Sequence, residues 1–353
     1  MKDEGPIGKE CERQSDPRWE MTDKPDEFEL ISRYFRPLAT ASGAFGLADD
    51  AAVLDPGAGR RIVVTTDILV AGVHFPVDED PGLVATRLIA VNLSDLAAMG
   101  AEPWVYTLSL ALPEDWDVPW IEGFAKGLER EQEAFAIQLA GGDTVVTPGP
   151  LTATLTAFGR TEEGRELKRG NAKPGDDIYV SGTIGDSALG LKVLKGEIPD
   201  LQQAPADALL ERYRRPQPRV QLGLRLRELG PGAVHGVIDI SDGLAADLGH
   251  VARASGCSAT VEAAKVPFSD AARDAFRLDP RLREWAITGG DDYELLFAAS
   301  PSDAGRIGEL ARDLDLPLTA IGKMDEKSGG DPVKVLAPDG TQWILKQGGY
   351  RHF

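Results

Sequence analysis

The chain has 353 residues, 42% of them hydrophobic and 7% aromatic, and a formal net charge of −19. That length exceeds what one hydrophobic core usually serves, so two domains are expected. The acidity argues against nucleic acid as partner, because binding to its phosphate backbone is supplied by Lys and Arg. No apolar stretch approaches the roughly 18 residues that a membrane-crossing helix needs, so no membrane partner is expected.

Residues 1–27 are dense in charge and turn formers and carry no apolar run of the kind that opens a signal peptide; a disordered leader is expected. Cys11 and Cys257 form neither a disulfide framework nor a zinc spacing, which suits a reducing cytoplasm. FELISRYF places Phe28, Leu30, Ile31, Tyr34 and Phe35 near helical spacing. Arg61–Thr66 is rich in β-branched residues and reads as a strand ending at Asp67. Between Leu83 and Met99 apolar residues recur with a helical period, and Gly100 supplies the left-handed stop. Asp95 therefore falls in the last turns of a helix, where the macrodipole opposes negative charge by roughly 0.3–1 kcal/mol and asks for solvent or a cation.

Leu151–Phe158 alternates apolar residues with threonines, the pattern of a strand buried on one face. KRGNAKPGDDIYVSG follows, rich in Gly and charge, and places a domain boundary near residue 170. The expected domains are 28–170 and 171–353. In the second, strands are expected at Asp177–Ser181, Val234–Ile240, Glu294–Ala299 and Leu316–Ile321. Helices are expected at 185–195, 208–229, 244–254 and 302–314.

Carboxylates punctuate this pattern in GLADDAAVLD, VVTTDILVAGVHF, NLSDLAAMGA, LAGGDTVV, VIDISDGLAADLGH and TGGDDYELLF. One such segment is an ordinary turn; six beside apolar runs suggest an assembled site. There is no G-x-x-x-x-G-K-[ST] phosphate loop and no protein-kinase motif set. Scattered aspartates suit magnesium, a hard cation held by a few carboxylates together with substrate phosphates. His74, His235, His250 and His352 show no zinc-ligand spacing. Ser241 and Asp242 read either as a helix N-cap or as a phosphate position at a helix start. Gly141-Gly142-Asp143 reads either as a turn close to phosphate or as a plain hairpin or bulge.

These segments, with AVNLSDLAAMGAEP, LKRGNAKPGD, YVSGTIGDSALGL and a terminal GYRHF, occur in an order that resembles the thiamine-monophosphate kinase family. The resemblance spans about 28–353. The wider superfamily includes aminoimidazole-ribonucleotide synthetase, selenophosphate synthetase and the hydrogenase-maturation dehydratases. It implies a two-domain α/β (α+β) fold, with an N-terminal ferredoxin-like sheet domain and a C-terminal α/β domain, and a homodimer joined through the N-terminal sheets. It implies ATP-dependent phosphorylation of thiamine monophosphate to thiamine diphosphate. By that likeness Asp50, Thr65, Thr66, Asp67, Asp95, Asp143, Asp239 and Asp242 would hold several Mg2+ ions. Gly142, Asp143, Arg169 and Ser241 would contact ATP, and His74, Asp291 and Tyr350 would line the acceptor pocket.

Two positions depart from the family pattern. GLADDA has Ala48 where GIGDDA has Gly, which matters if that turn uses a positive φ. GGDDYE has Asp291 for Glu, one methylene shorter with the same charge. The chemistry expected is direct in-line transfer without a protein nucleophile. The alternatives are another ATP-using enzyme of the superfamily and a non-catalytic, metal-stabilised nucleotide-binding protein.

Overall fold

The computed structural model describes residues 24–230, 232–337, 339–345 and 349. Residues 1–23 of the expected leader and Tyr350 lie outside the described residues. At the described start, Asp26 accepts from the Glu29 amide and the Glu29 carboxylate returns to the Asp26 amide, a capping box that opens α1 (Glu27–Leu30). The chain continues through a wider turn at Ile31–Phe35, and Leu30, Tyr34 and Phe35 are buried. The helix expected for FELISRYF is therefore present, in irregular form.

The first sheet has the order β1-β4-β2-β3, from β1 (Arg60–Val70), β2 (Glu102–Pro113), β3 (Gln138–Thr147) and β4 (Thr152–Glu162). β1 corrects one expectation: Asp67 lies inside the strand, because Ile68, Leu69 and Val70 continue the pairing with β4 as far as Thr152. Side chains alternate along the strand, so Thr65 and Asp67 share the half-buried face while Val64, Thr66 and Ile68 are exposed on the other. Gly141-Gly142-Asp143 lies within β3, not in a turn, and the ladder with β2 slips between Tyr106 and Thr107 opposite Leu139 and Gly141. A Cβ on Gly142 would fall 2.0 Å from the Leu108 carbonyl oxygen, so close strand approach alone requires glycine there.

Two helices cover the half-buried face, α2 (Pro81–Ala98) and α3 (Val118–Phe135). Asp80 caps α2 by accepting from the Leu83 amide at 3.0 Å, and Gly100 at φ 62° follows its end. α2 is buried on nearly every side from Val84 to Ala98 because it packs against α3, β1 and β4 and also against the second half of the chain. Gly82 and Gly127 let α2 and α3 touch; a Cβ on Gly127 would come within 2.8 Å of Gly82.

The second sheet has seven strands in the order β11-β10-β7-β9-β5-β8-β6. They are β5 (Asp177–Ser181), β6 (Val234–Asp239), β7 (Ser258–Glu262), β8 (Leu295–Ala299), β9 (Leu318–Asp325), β10 (Val333–Leu336) and β11 (Gln342–Trp343). Its helices are α4 (Asp186–Leu194), α5 (Gln203–Arg214), α6 (Val220–Leu229), α7 (Leu244–Ser255), α8 (Asp270–Leu278), α9 (Leu282–Thr288) and α10 (Ala304–Asp313). The single helix expected over 208–229 is two. Pro216 and Pro218 lack amide donors and push their predecessors out of the helical region. One apolar cluster joins the halves, with Leu88 and Leu96 of α2 in the same core as Leu222 and Leu226 of α6 and Phe297 of β8.

Candidate active site

α2, β1 and β6 meet where the two sheets adjoin, and each brings a carboxylate. Asp67 comes from the inward face of β1, Asp95 from the last turns of α2, and Asp239 from the final position of β6. Asp239 is 3% exposed and accepts from the Ser94 hydroxyl at 2.8 Å. The Thr65 hydroxyl donates to Asp95. The positive charge acting on this group is Arg169, which lowers the proton affinity of Asp95 and Asp239.

That compensation is incomplete. Burial and then the Asp95 charge push Asp67 up to about 6. Burial, again followed by Asp95, pushes Asp239 up to about 8. Burial raises Asp95 as well, against the pull of Thr65 and Arg169. Three acids from distant sequence positions are thus packed where a proton or a cation is needed.

Beyond β6 the chain turns through Ser241, Asp242 and Gly243 into α7. Of the two readings of Ser241 and Asp242, the N-cap is not made: α7 begins after Gly243, at φ 115°. Asp247, in the first turn, instead accepts from the amides of Ser241 at 3.1 Å, Asp242 at 3.0 Å and Gly243 at 3.1 Å. Burial nevertheless pushes Asp247 up to about 7, with the Asp242 charge adding to it against those three amides. One ligand atom each from Asp242, Asp247 and His250 lie within 4.8 Å of one another. Sequence reasoning passed over Asp247, although an acid in the first turn of a helix is itself a signal.

The loop Gly289–Asp292 presses on this turn. The Asp291 amide donates to the Ser241 carbonyl at 2.9 Å, and a Cβ on Gly290 would meet that carbonyl oxygen at 2.0 Å. Asp291 adopts φ 71°, and its carboxylate pairs with Arg87 of α2 at 2.7 Å and accepts from the Tyr293 hydroxyl at 3.1 Å. Arg87 also donates to the Tyr213 carbonyl at 2.7 Å, and the Tyr213 hydroxyl donates to the His74 carbonyl at 3.4 Å. His74 and Asp291, far apart in sequence, thus belong to one network across the two halves. The His74 Nδ1 accepts from the Val70 amide at 3.0 Å, which leaves the proton of the neutral ring on Nε2.

Asp50, Gly142 and Asp143 line a different cavity, of about 160 Å³, floored by Leu108 and Leu139. The Thr66 hydroxyl is not turned toward the carboxylates; it donates to the Leu155 carbonyl at 3.2 Å on the outward face. Ala48 takes φ −101°, so the missing glycine imposes no backbone strain there.

The two halves match the AIR synthase related protein N-terminal domain over residues 48–161 and its C-terminal domain over residues 173–334. The thiamine-monophosphate kinase of Escherichia coli (strain K12) is 43% identical over 329 residues, 93% of this chain and 98% of the relative. The crystal structure of thiamine-monophosphate kinase from Stenotrophomonas maltophilia K279a superposes with a TM-score of 0.78 at 43% identity, covering 89% of this chain and 97% of that one. AaThiL complexed with AMPPCP and TMP superposes with a TM-score of 0.73 at 31% identity, covering 88% and 97%. The carboxylate-lined junction of two α/β halves and these similarities together show that the chain belongs to the thiamine-monophosphate kinase family, built on AIR synthase related domains.

Proposed function

We propose that this chain transfers the terminal phosphoryl group of ATP directly to the phosphate of thiamine monophosphate, giving thiamine diphosphate and ADP, with several Mg2+ ions bound. The observation that carries this reading is the convergence of Asp67, Asp95 and Asp239 from both halves, with Arg169 opposing the charge of Asp95 and Asp239. The relative AaThiL, complexed with AMPPCP and TMP, supports the pairing of substrates.

The donor set fits magnesium: carboxylates and the Thr65 hydroxyl are hard oxygen ligands, and their mutual repulsion calls for a cation. Asp67, Asp95, Asp239 and Thr65 would hold it, with Asp242 nearby on the turn after β6 and Asp50 and Asp143 at the second cavity. Bound there, magnesium supplies charge neutralisation on the phosphates being joined. Arg169 and the Ser241 turn bind ATP together with Gly142 and Asp143. His74, in its Nε2-protonated form, and Asp291, fixed by Arg87, orient the acceptor, and Tyr350 completes that pocket. The acceptor phosphate oxygen forms the new bond as the bond to the ADP oxygen breaks.

Two side chains that could serve as nucleophiles are engaged elsewhere. Cys257 is buried and its thiol is held above the usual range by that burial, and His235 is engaged with Asp176 at 2.7 Å. These settings support a single displacement. The exposed row Val64, Thr66 and Ile68 on β1, with Val145 on β3, supports a homodimer through this sheet face. No helix among the described residues is long and apolar enough to cross a membrane; a cytoplasmic setting is part of the proposal. We place the domain boundary near residue 170.

The test is a product assay with ATP, magnesium and thiamine monophosphate. Thiamine diphosphate should appear only with all three present, initial-rate patterns should be sequential, and labelled ATP with magnesium alone should leave no label on the chain. ATP hydrolysis without thiamine diphosphate would reject the substrate assignment; a stoichiometric phosphoenzyme would reject direct transfer.

A further inference from the structure

The segment joining the two sheets carries charge on two sides. Arg169 acts on Asp95 and Asp239. Its neighbours open on a further cavity, of about 310 Å³, lined by Arg165, Glu166, Lys168, Lys173, Arg227 and His235. Four permanent cations face one carboxylate there, in a chain whose formal charge is −19.

The hydrogen bonds leave that excess uncancelled. Arg227 donates to the Gly100 carbonyl at 3.0 Å, and Arg165 donates to the Arg227 carbonyl at 3.3 Å. These are neutral acceptors, and the nearest carboxylate paired with Arg165, that of Glu162, stands 3.9 Å away. Lys168 is paired with Glu166 at 3.2 Å; the other Glu166 oxygen is buried with no hydrogen-bond partner.

Lys173 meets the imidazole of His235, Nζ to Nε2, at 3.2 Å. Because an ammonium only donates, Nε2 accepts and the ring proton sits on Nδ1, given to Asp176 at 2.7 Å. Asp176 is itself buried and is also taken up by the Lys173 amide at 2.7 Å. The Lys173 ammonium is therefore steadied by a neutral ring, and its charge remains available to the cavity.

We infer that this cavity, on the opposite side of the linker from Arg169, is a binding site for a small phosphate-bearing anion. Lys168, Lys173 and Arg165 supply the mobile charges, and Arg227 is held in place by the Gly100 carbonyl. Guanidinium and ammonium donors suit phosphate oxygens, and the cavity is at the small end of ligand sites, which suits a phosphate or diphosphate group better than a whole nucleotide.

The experiment uses the full chain, free of divalent cation and ATP, titrated calorimetrically with inorganic phosphate and, separately, with pyrophosphate. Wild type should bind at least one of them, with affinity falling as sodium chloride is raised. The double variant Lys168→Ala/Lys173→Ala, at two exposed positions, should bind at least about tenfold more weakly while its thermal unfolding midpoint in phosphate-free buffer stays that of wild type. The variant Arg227→Gln, tested the same way, should also lose affinity. The tighter of the two anions identifies the preferred group. Unchanged binding in the double variant, or no binding by wild type without magnesium, would overturn the assignment, and neither result would bear on turnover of thiamine monophosphate.

Discussion

Two buried acidic centres lie on neighbouring paired strands, Asp239 at the end of β6 and Glu294 just before β8, and are built on opposite principles. Glu294 is 0% exposed and is enclosed by protein cations: Arg212 donates at 3.0 Å, Arg219 donates through Nε at 2.6 Å and again through Nη2, and the Ser181 hydroxyl donates at 2.5 Å. Asp239 is almost as deeply buried, yet its donor is one serine hydroxyl and its closest charged influence is another acid. A carboxylate surrounded by its own arginines is finished as a structural element. One that faces other carboxylates is left for something the chain does not contain. Burial alone therefore does not separate scaffold from site; the identity of the partners does.

The largest effect should come from breaking the finished centre. Glu294→Ala leaves Arg212 and Arg219 without their carboxylate, and urea unfolding should show a loss of about 3–5 kcal/mol. A loss below about 1 kcal/mol would mean that the arginines find water instead, and the contrast would fail. At the other centre the consequences should reverse. Asp95→Asn keeps an acceptor for the Thr65 hydroxyl and removes one of the repelling charges, so turnover at limiting magnesium should fall at least about a hundredfold with no loss of unfolding midpoint. Near wild-type turnover would remove Asp95 from the site.

Linkage sharpens the same comparison. Asp67, Asp247 and Asp239 have native proton affinities raised to about 6, 7 and 8, so between about pH 4 and 8 the metal-free native state binds more protons than the unfolded chain. Their contribution to stability is present at low pH and is lost as pH rises through those values. Relative to wild type, Asp239→Asn should therefore gain stability from pH 5 to pH 8, on the order of 2 kcal/mol, and added magnesium should narrow the gap by stabilising wild type. A gap that shrinks with pH in metal-free buffer would contradict the sign.

Smaller effects test the turn beside the site. Asp247→Ala strips the acceptor from three amides and should cost about 1–2 kcal/mol, seen as a lower thermal midpoint, whereas Asp242→Ala should leave the midpoint nearly unchanged because Asp242 caps nothing. Smallest of all, Ala48→Gly should lower stability by about 0.5–1 kcal/mol or less, since position 48 already has a negative φ; a gain on restoring glycine would show that the native turn is strained.

What the residues alone determined is what depends on short range. The helix at 81–98, its stop at Gly100 and the strands at 152–162 and 177–181 follow from periodicity and from turn chemistry that neighbours within a few positions enforce. The family was equally legible, since the order of the Asp- and Gly-rich segments points to the thiamine-monophosphate kinases that the chain matches. The register of Asp67 inside β1, the split at Pro216 and Pro218, and Asp247 rather than Asp242 as the acceptor of the turn's amides do not follow from short range. They turn on which backbone groups find partners, and that depends on strand pairing and on a side chain one helical turn further along. Only the tertiary structure decided that Asp67, Asp95 and Asp239 share one junction while Asp50 and Asp143 line another cavity, and that His74 and Asp291 are connected through Arg87 and Tyr213. Electrostatic coupling falls with distance in space, and the fold sets Asp67 and Asp239 each within reach of the Asp95 charge, although 172 positions separate the two in the chain.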